Sequence, residues 1–163
     1  MGKYAAYIRF GYGRSDLTLL YNDPQALQEV GHDLAAPFLD QKISKVLALD
    51  AQGFALGALV ALHLNAGLVF IRKGGKIAWE TKCIEIKDYS HAPKILEIAV
   101  GALSKNDRVL VVDDWSETGS QLRGALALAE QCGATVIGAA SVHMDDKVLQ
   151  DDRLAGYKLH HVE

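Results

Sequence analysis

The sequence predicts an α/β fold with a central, mainly parallel, twisted sheet that is flanked by helices. Short, mainly apolar runs, which are typical of strands buried on both faces, occur at residues 45–49, 68–71, 109–112 and 135–142. Longer apolar stretches with helical spacing follow several of these runs, and glycine-rich or polar turns separate the two patterns. Such an alternation of strand and helix is typical of doubly wound sheets.

Length and composition favour one domain that spans residues 1–163. Half of the 163 residues are hydrophobic, and the net charge of −3 gives no basic surplus, so we expect neither nucleic acid nor a membrane as partner. Cys83 and Cys132 have no metal-ligand spacing and suggest no disulfide framework. The first residues lack the apolar run of a secretory signal, and residues 55–71 are too short and too often interrupted for a membrane span. We therefore expect a cytoplasmic protein.

The first elements are expected to be structural. Residues 4–10 are interpreted as a short edge strand. Asn22 and Asp23 offer caps for a helix with Pro24 at its first position, and an apolar stripe follows at helical spacing, formed by Leu27, Val30 and Leu34. This helix is expected to pack against the sheet.

Two strand–turn units in the first half of the chain end in polar residues. The strand at 45–49 leads through a turn at 50–53 into an apolar helix at about 55–64. The strand at 68–71 leads directly into the basic turn RKGGK at 72–76. Because open α/β sheets bind ligands at the carboxyl ends of their strands, this basic turn indicates an anion site. The alternative is a solvated basic turn.

The middle of the chain has a looser pattern. Residues 77–90 mix polar side chains with an alternating strand pattern, CIEIK, at 83–87, and the segment after Pro93 is a short helix or a strand followed by a turn. Residues 159–162 are predicted to form an edge strand that closes the sheet.

The stretch VLVVDDWSETGSQ at 109–121 carries the most chemistry. Its strand is expected to end at Asp113 and Asp114, and a helix begins beyond the turn, with Gly133 as its stop. Free N–H groups at a helix start bind phosphate, with hydroxyls from Thr118 and Ser120 as further donors. Two carboxylates repel phosphate, so their partners are ribose hydroxyls or a hydrated Mg²⁺. The stretch therefore predicts a ribose 5-phosphate site.

Residues 111–121 resemble the motif that binds phosphoribosyl pyrophosphate (PRPP) in type I phosphoribosyltransferases, and RKGGK is similar to the RKxGK of the adenine-specific members. The resemblance implies the type I phosphoribosyltransferase fold, with a small hood or flexible loop near residues 77–90. It also implies three groups of site residues. The ribose, and indirectly Mg²⁺, would contact Asp113 and Asp114. The 5-phosphate would be bound by Glu117, Thr118, Gly119, Ser120 and Gln121. The diphosphate would be bound by Asp50, Ala51, Gln52, Gly53, Arg72, Lys73 and Lys76.

Several positions depart from the adenine-specific pattern. Gln52 stands where arginine is usual, and Ser90 and His91 stand in place of a Glu–Tyr pair. Glu117 replaces an alanine, whereas hypoxanthine and guanine relatives carry an aspartate that assists deprotonation of the base. Glu117 is therefore a candidate general base; the alternative is a carboxylate that is favoured by the helix dipole. Trp115 is interpreted as a packing residue, with stacking on an aromatic ligand as the alternative.

The resemblance implies an enzyme that transfers ribose 5-phosphate from PRPP to a nucleobase, with a purine, adenine-like acceptor favoured, and releases diphosphate in nucleotide salvage. Catalysis would involve Asp113, Asp114 and Glu117, with Mg²⁺ as cofactor. Members of the family commonly form homodimers. The departures at Gln52, Ser90, His91 and Glu117 also fit a non-catalytic relative that binds PRPP or a nucleotide as a regulatory signal.

Overall fold

The computed structural model describes residues 2–11, 14–87 and 93–163. A short ribbon of strands β1 (Arg9–Gly11) and β2 (Arg14–Asp16) precedes a seven-stranded sheet. The strands of this sheet are β3 (Lys45–Leu49), β4 (Gly67–Lys73), β5 (Thr81–Lys87), β6 (Pro93–Ala99), β7 (Arg108–Ser116), β8 (Thr135–Met144) and β9 (Lys158–His161). Their spatial order is β5-β6-β4-β3-β7-β8-β9.

The sheet is mainly parallel, as the sequence predicts. The neighbours β4, β3, β7, β8 and β9 run parallel to one another, whereas β6 is antiparallel to both β4 and β5. The α-helices are α1 (Thr18–Asn22), α2 (Pro24–Ala35), α3 (Gly53–Leu64), α4 (Ser120–Gln131) and α5 (Asp146–Leu149). Short 3₁₀ helices cover Ala5–Tyr7, Ala36–Gln41 and Asp152–Leu154.

Local signals set the ends of the two helices on which the predictions depend most. The carboxylate of Asp23 accepts the N–H groups of Gln25 and Ala26, both at 2.9 Å, and so caps α2. After α4, Gly133 adopts a φ of +86°, a conformation that residues with a Cβ rarely adopt. Both predicted boundaries are confirmed.

The central strands bury side chains on both faces, which explains their mainly apolar runs. Leu110 and Val112 of β7 pack with α2 and α3 in one cluster, whereas Val109 and Val111 pack towards α4 in the other. Gly57 lies so close to β3 that a Cβ there would stand 2.5 Å from the Cβ of Ala48. The helices therefore hold the strand ends of the sheet in a fixed arrangement.

Two predictions about the elements are wrong. Residues 4–10 form a 3₁₀ turn followed by β1, which pairs with β2 instead of with the central sheet. The side chain of Tyr4 is buried, and its hydroxyl donates to Asp33 at 2.7 Å, so this segment is fixed by packing on α2. The strand predicted at 109–112 continues to Ser116, because β8 pairs with it along its whole length.

The remaining elements agree with the sequence pattern. The alternating CIEIK residues lie in β5, and the ambiguous segment after residue 92 is the strand β6. The predicted edge strand at the end of the chain is β9, which lies outermost beside β8. None of the helices in the described part of the chain is long and apolar enough to cross a membrane. Ser90 and His91 lie outside the described residues.

Candidate active site

The carboxyl ends of three adjacent parallel strands bring the predicted site segments together. β3 lies between β4 and β7, so the turn at 50–53 is flanked by the basic turn on one side and by residues 113–121 on the other. Polar groups from these separate parts of the sequence therefore meet at one edge of the sheet, where such sheets bind ligands.

A change in strand pairing opens space beside the two aspartates. β7 pairs with β3 only as far as the match between Ala48 and Val112, whereas its pairing with β8 continues to Ser116. In the part of the chain that the structure describes, residues 113–116 therefore pair with β8 on one side and with no strand on the other. The other side faces the turn between β3 and α3.

The two adjacent aspartates occupy different environments. Asp113 is buried with 7% of its surface exposed, whereas Asp114 is half-buried. Burial, reinforced by repulsion from Asp114, raises the pKa of Asp113 well above its ordinary value. A partner that donates hydrogen bonds or carries positive charge would favour the ionised form. Asp113 is thus suited to ligand hydroxyls and poorly suited to a bare phosphate.

The turn at 50–53 contacts this pair of aspartates directly. The side-chain amide of Gln52 donates to the Asp114 carboxylate at 3.0 Å, and the Tyr21 hydroxyl donates to the backbone carbonyl of Gln52 at 3.2 Å. A Cβ at Gly53 would stand 3.0 Å from the carbonyl oxygen of Val112, so glycine allows the start of α3 to approach β7. The hydrogen bond from Gln52 therefore orients the Asp114 carboxylate in this structure. The peptide bond between Asp50 and Ala51, in the same turn, is cis.

Asp50 is surrounded by cationic and N–H groups at the end of β3. Its Oδ2 accepts from Lys76 Nζ at 3.1 Å, from Arg72 Nε at 3.4 Å and from the Lys73 N–H at 3.4 Å. Burial opposes ionisation, but these contacts outweigh it and hold the pKa of Asp50 below its ordinary value. The buried carboxylate thereby gathers the cations of the basic turn beside the turn at 50–53.

The basic turn is held from behind by Glu97, a residue that the sequence analysis missed. Glu97 is buried on β6, opposite Arg72 in the strand register, and its Oε1 accepts the N–H groups of Lys76 at 2.7 Å and Ile77 at 3.0 Å. Burial disfavours the charged form, yet the backbone donors and Arg72 lower the pKa of Glu97. The carboxylate therefore stays ionised and fixes the turn onto β6.

A cavity of about 100 Å³ lies at the start of α4. Its wall is formed by Asp113, Trp115, Ser116, Glu117, Thr118, Gly119, Ser120 and Gln121. Gly119 occupies the position before the first helical residue with a φ of +70°, and the first N–H groups of a helix have no partner within the helix. N–H groups and hydroxyls at a helix start form a site of the size and polarity of a phosphate group.

Two further predicted residues border the cavity. Glu117 is exposed, and Lys147 Nζ lies 3.8 Å from its carboxylate. Trp115 is stacked on His143, with ring centres 4.0 Å apart, and its ring meets the edge of Phe10 at 5.2 Å. Packing therefore occupies one face of the indole.

Arg123, in the first turn of α4, is the second residue that the sequence analysis missed. Its guanidinium lies behind the loop at 117–121 and donates to the backbone carbonyl of Thr118 at 3.0 Å. A signal was present in the sequence, because a cation in the first helical turn opposes the helix dipole and so suggests a nearby anion.

Comparison with known proteins gives the family. The model of the phosphoribosyl transferase domain matches residues 17–160. Adenine phosphoribosyltransferase of Nitrosococcus oceani is 38% identical over 146 residues, which cover 89% of this chain and 84% of that protein. The crystal structure of adenine phosphoribosyltransferase from Rhodothermus marinus superimposes with a TM-score of 0.88 at 30% identity, and the match covers 96% of this chain and 93% of that chain.

A third similar structure carries ligands. It is adenine phosphoribosyltransferase from Saccharomyces cerevisiae, in complex with D-2,5-dideoxy-2,5-imino-altritol 1,6-bisphosphate and adenine. It superimposes with a TM-score of 0.82 at 26% identity, and the match covers 92% of this chain and 86% of that chain. The predicted fold class is confirmed by these matches. The similar proteins named above are adenine phosphoribosyltransferases, and the chain belongs to the phosphoribosyltransferase family.

Proposed function

We propose that this protein transfers ribose 5-phosphate from PRPP to adenine or a closely similar purine and releases diphosphate, as a step of purine salvage. The observation that carries the proposal is the arrangement along one sheet edge of a phosphate-sized cavity, a carboxylate pair and a cation cluster. PRPP presents a 5-phosphate, ribose hydroxyls and a diphosphate in the same order. The sequence similarity to adenine phosphoribosyltransferases supports this assignment.

The sugar phosphate end of PRPP would be bound by residues of β7 and α4. In this proposal the N–H groups and hydroxyls of Thr118, Gly119, Ser120 and Gln121 hold the 5-phosphate in the cavity. Asp113 and Asp114 accept hydrogen bonds from the ribose hydroxyls, an arrangement that the contact from Gln52 would preorganise.

The diphosphate end would be bound by the basic turn. Arg72, Lys73 and Lys76 supply positive charge and N–H donors, while the backbone of the turn at 50–53 approaches from β3. Asp50 is a carboxylate and would repel the diphosphate, so its role in this proposal is to position Arg72 and Lys76. Cations held in this way need little reorganisation as charge builds up on the leaving diphosphate.

Mg²⁺ fits these residues through the substrate more than through the protein. Within residues 2–11, 14–87 and 93–163 there is no group of three or more histidine, cysteine, aspartate or glutamate side chains that could hold a metal ion. Asp113 and Asp114 offer hard oxygen atoms that suit hydrated Mg²⁺ or the hydroxyls of a sugar that carries it. Bound Mg²⁺ would neutralise charge on the diphosphate.

The transfer would proceed through a transition state that resembles an oxocarbenium ion. The bond from the sugar carbon to the diphosphate oxygen breaks as a bond to a base nitrogen forms, and the base gives up a proton. The protein would hold both ends of the sugar in place, stabilise the leaving charge and limit the access of water.

Glu117 is our candidate for the group that accepts the proton. Replacing Glu117 by alanine should lower kcat by about 100-fold, a typical contribution of a general base, with little change in the KM for PRPP. Steady-state kinetics with adenine as acceptor would measure both constants, and Glu85→Ala on β5 is the control. Unchanged kcat would leave Glu117 as a carboxylate that pairs with Lys147.

The acceptor can be identified with a panel of bases. Diphosphate release would be measured from PRPP and Mg²⁺ with adenine, hypoxanthine, guanine, xanthine, uracil and orotate. We expect turnover with adenine, by similarity to the relatives named above. Binding of PRPP without turnover of any base would instead support a regulatory relative that senses PRPP.

We also propose that the protein is a homodimer, formed through the outer face of α3. Apolar residues cover α3 almost all round, and Leu62 is 78% exposed. Phe70 on β4 is 46% exposed and packs against Phe54 of α3 at 4.5 Å, which extends the apolar surface. The resemblance to dimeric phosphoribosyltransferases supports a second copy of this chain as the occupant.

Light scattering would measure the molar mass in solution. The wild-type protein should give about twice the chain mass of 17.7 kDa, and Leu62→Glu should give the mass of one chain, since a charge in the apolar interface would be left unpaired. A wild-type molar mass of one chain at all concentrations would contradict the dimer.

We further propose that residues 1–163 form one domain and that the reaction occurs in the cytoplasm.

A further inference from the structure

The phosphate cavity lacks a cation in its own wall. Among the described residues that line it, Asp113 and Glu117 carry carboxyl groups, and none is a lysine or an arginine. A phosphate monoester is close to a dianion at neutral pH, so N–H and hydroxyl donors alone would leave much of its charge uncompensated. Positive charge close to the cavity would compensate part of the remainder.

Arg123 supplies this charge and is fitted closely to the loop. Its Nη1 donates to the carbonyl of Thr118 at 3.0 Å, and its Nη2 donates to the Ser120 hydroxyl oxygen at 3.2 Å. A Cβ at Gly119 would stand 2.8 Å from Nη1, so the guanidinium packs directly against the glycine. Because Arg123 donates to the Ser120 oxygen, the proton of that hydroxyl is available for another acceptor.

Asp151 fixes the orientation of the guanidinium. The side chain of Asp151 is 8% exposed, and its Oδ2 accepts from Arg123 Nη1 at 2.6 Å. The hydrogen bond from Arg153 and the charge of Arg123 lower the pKa of Asp151, whereas desolvation raises it; the net result is a pKa of about 2. The ion pair is therefore present throughout the neutral range. With Arg153 on the far side of Asp151, the group keeps a net positive charge.

We infer that Arg123 is a positioning residue for the 5-phosphate: held by Asp151, it fixes the Thr118–Ser120 loop, directs the Ser120 hydroxyl into the cavity and adds positive charge behind it. This inference deepens the proposed function and depends on it. The helix dipole disfavours a cation in the first turn of α4, and the ion pair with Asp151 offsets that cost.

The test compares two ligands that occupy opposite ends of the site. Calorimetric titrations would measure the Kd of ribose 5-phosphate and of Mg²⁺-diphosphate for the wild-type protein and for Arg123→Met. We expect the Kd of ribose 5-phosphate to rise at least about tenfold, since contacts with charged groups are lost. The Kd of Mg²⁺-diphosphate should stay within about twofold. In turnover, the KM for PRPP should rise more than kcat falls.

Further variants separate positioning from general damage to the fold. Arg123→Lys keeps the charge but loses the planar fork, so it should recover part of the affinity. Lys105→Met is the control, because it removes one positive charge from the turn before β7, at the amino end of that strand and away from the cavity; its affinity for ribose 5-phosphate should equal that of the wild type. Should Arg123→Met fail to fold, Asp151→Asn gives the second test, with an expected loss of about three- to tenfold.

Two outcomes would overturn the inference. Equal affinity of wild type and folded Arg123 variants for ribose 5-phosphate would exclude a role in phosphate binding, and an equal loss for both ligands would indicate damage to the whole site. Wild-type protein that binds neither ligand would overturn the proposed function as well.

Discussion

Asp114→Asn should lower kcat/KM for PRPP by about 100- to 1,000-fold, because two charge-assisted hydrogen bonds to ribose hydroxyls, each worth about 1.5–3 kcal/mol, would be weakened. Asp114 is half-buried on the open side of β7, and the Gln52 amide holds its carboxylate at 3.0 Å. Asparagine has nearly the same shape, so the fold should be kept. Steady-state kinetics with varied PRPP would measure the loss.

A matched control separates the role of Asp114 from a general effect of charge. Asp152→Asn removes the same charge from an exposed position in the last 3₁₀ helix and should leave kcat/KM unchanged. An Asp114→Asn enzyme with wild-type kcat/KM would show that the ribose does not contact this carboxylate.

Lys76→Met should raise the KM for PRPP and the Kd for Mg²⁺-diphosphate by about 10- to 100-fold, since it removes a charge-assisted contact to the leaving group. Lys76 is exposed, yet Asp50 and Glu97 fix its side chain and its backbone respectively. Methionine keeps the length of the side chain without the charge. Kinetics with varied PRPP and calorimetry with Mg²⁺-diphosphate would measure both effects.

Lys105→Met is the control for this second variant. Lys105 lies in the turn before β7, at the amino end of that strand, and is exposed. Its loss should change neither constant. If Lys76→Met and Lys105→Met gave the same small effect, the basic turn would be a solvated surface and the diphosphate would bind elsewhere.

The sequence predicts the central strands well because they are buried on both faces. β3 is found at Lys45–Leu49, the residues of the predicted strand, since Leu47 and Leu49 pack in one cluster and Val46 in the other. The ends of α2 and α4 are also predicted, because Asp23 and Gly133 act within a few residues of the helix they limit.

Predictions fail where distant pairing overrides the local pattern. Asp113 and Asp114 look like the end of a strand, but β8 continues beside them and keeps the backbone extended to Ser116. Residues 4–10 look like a strand, yet the buried Tyr4 and its bond to Asp33 tie the segment to α2 instead. Neither cause is visible in the segment itself.

The segments that form the site could be predicted, because each carries a recognisable pattern after a buried strand. The contacts that hold them could not: Gln52 and Asp114 are 62 residues apart, Arg123 and Asp151 are 28 apart, and Glu97 is 21 residues from Lys76. Such pairs depend on strand order, which the sequence pattern leaves open.

The central claim, that this edge of the sheet binds PRPP, is tested most directly by calorimetric titration of Mg²⁺-PRPP into the wild-type protein and into the double variant Asp113→Asn/Asp114→Asn. The wild type should bind one PRPP per chain, and binding by the folded double variant should be weakened by at least about 100-fold, since its ribose contacts lose both charges. Equal binding by the two proteins would contradict the account and place the PRPP site elsewhere.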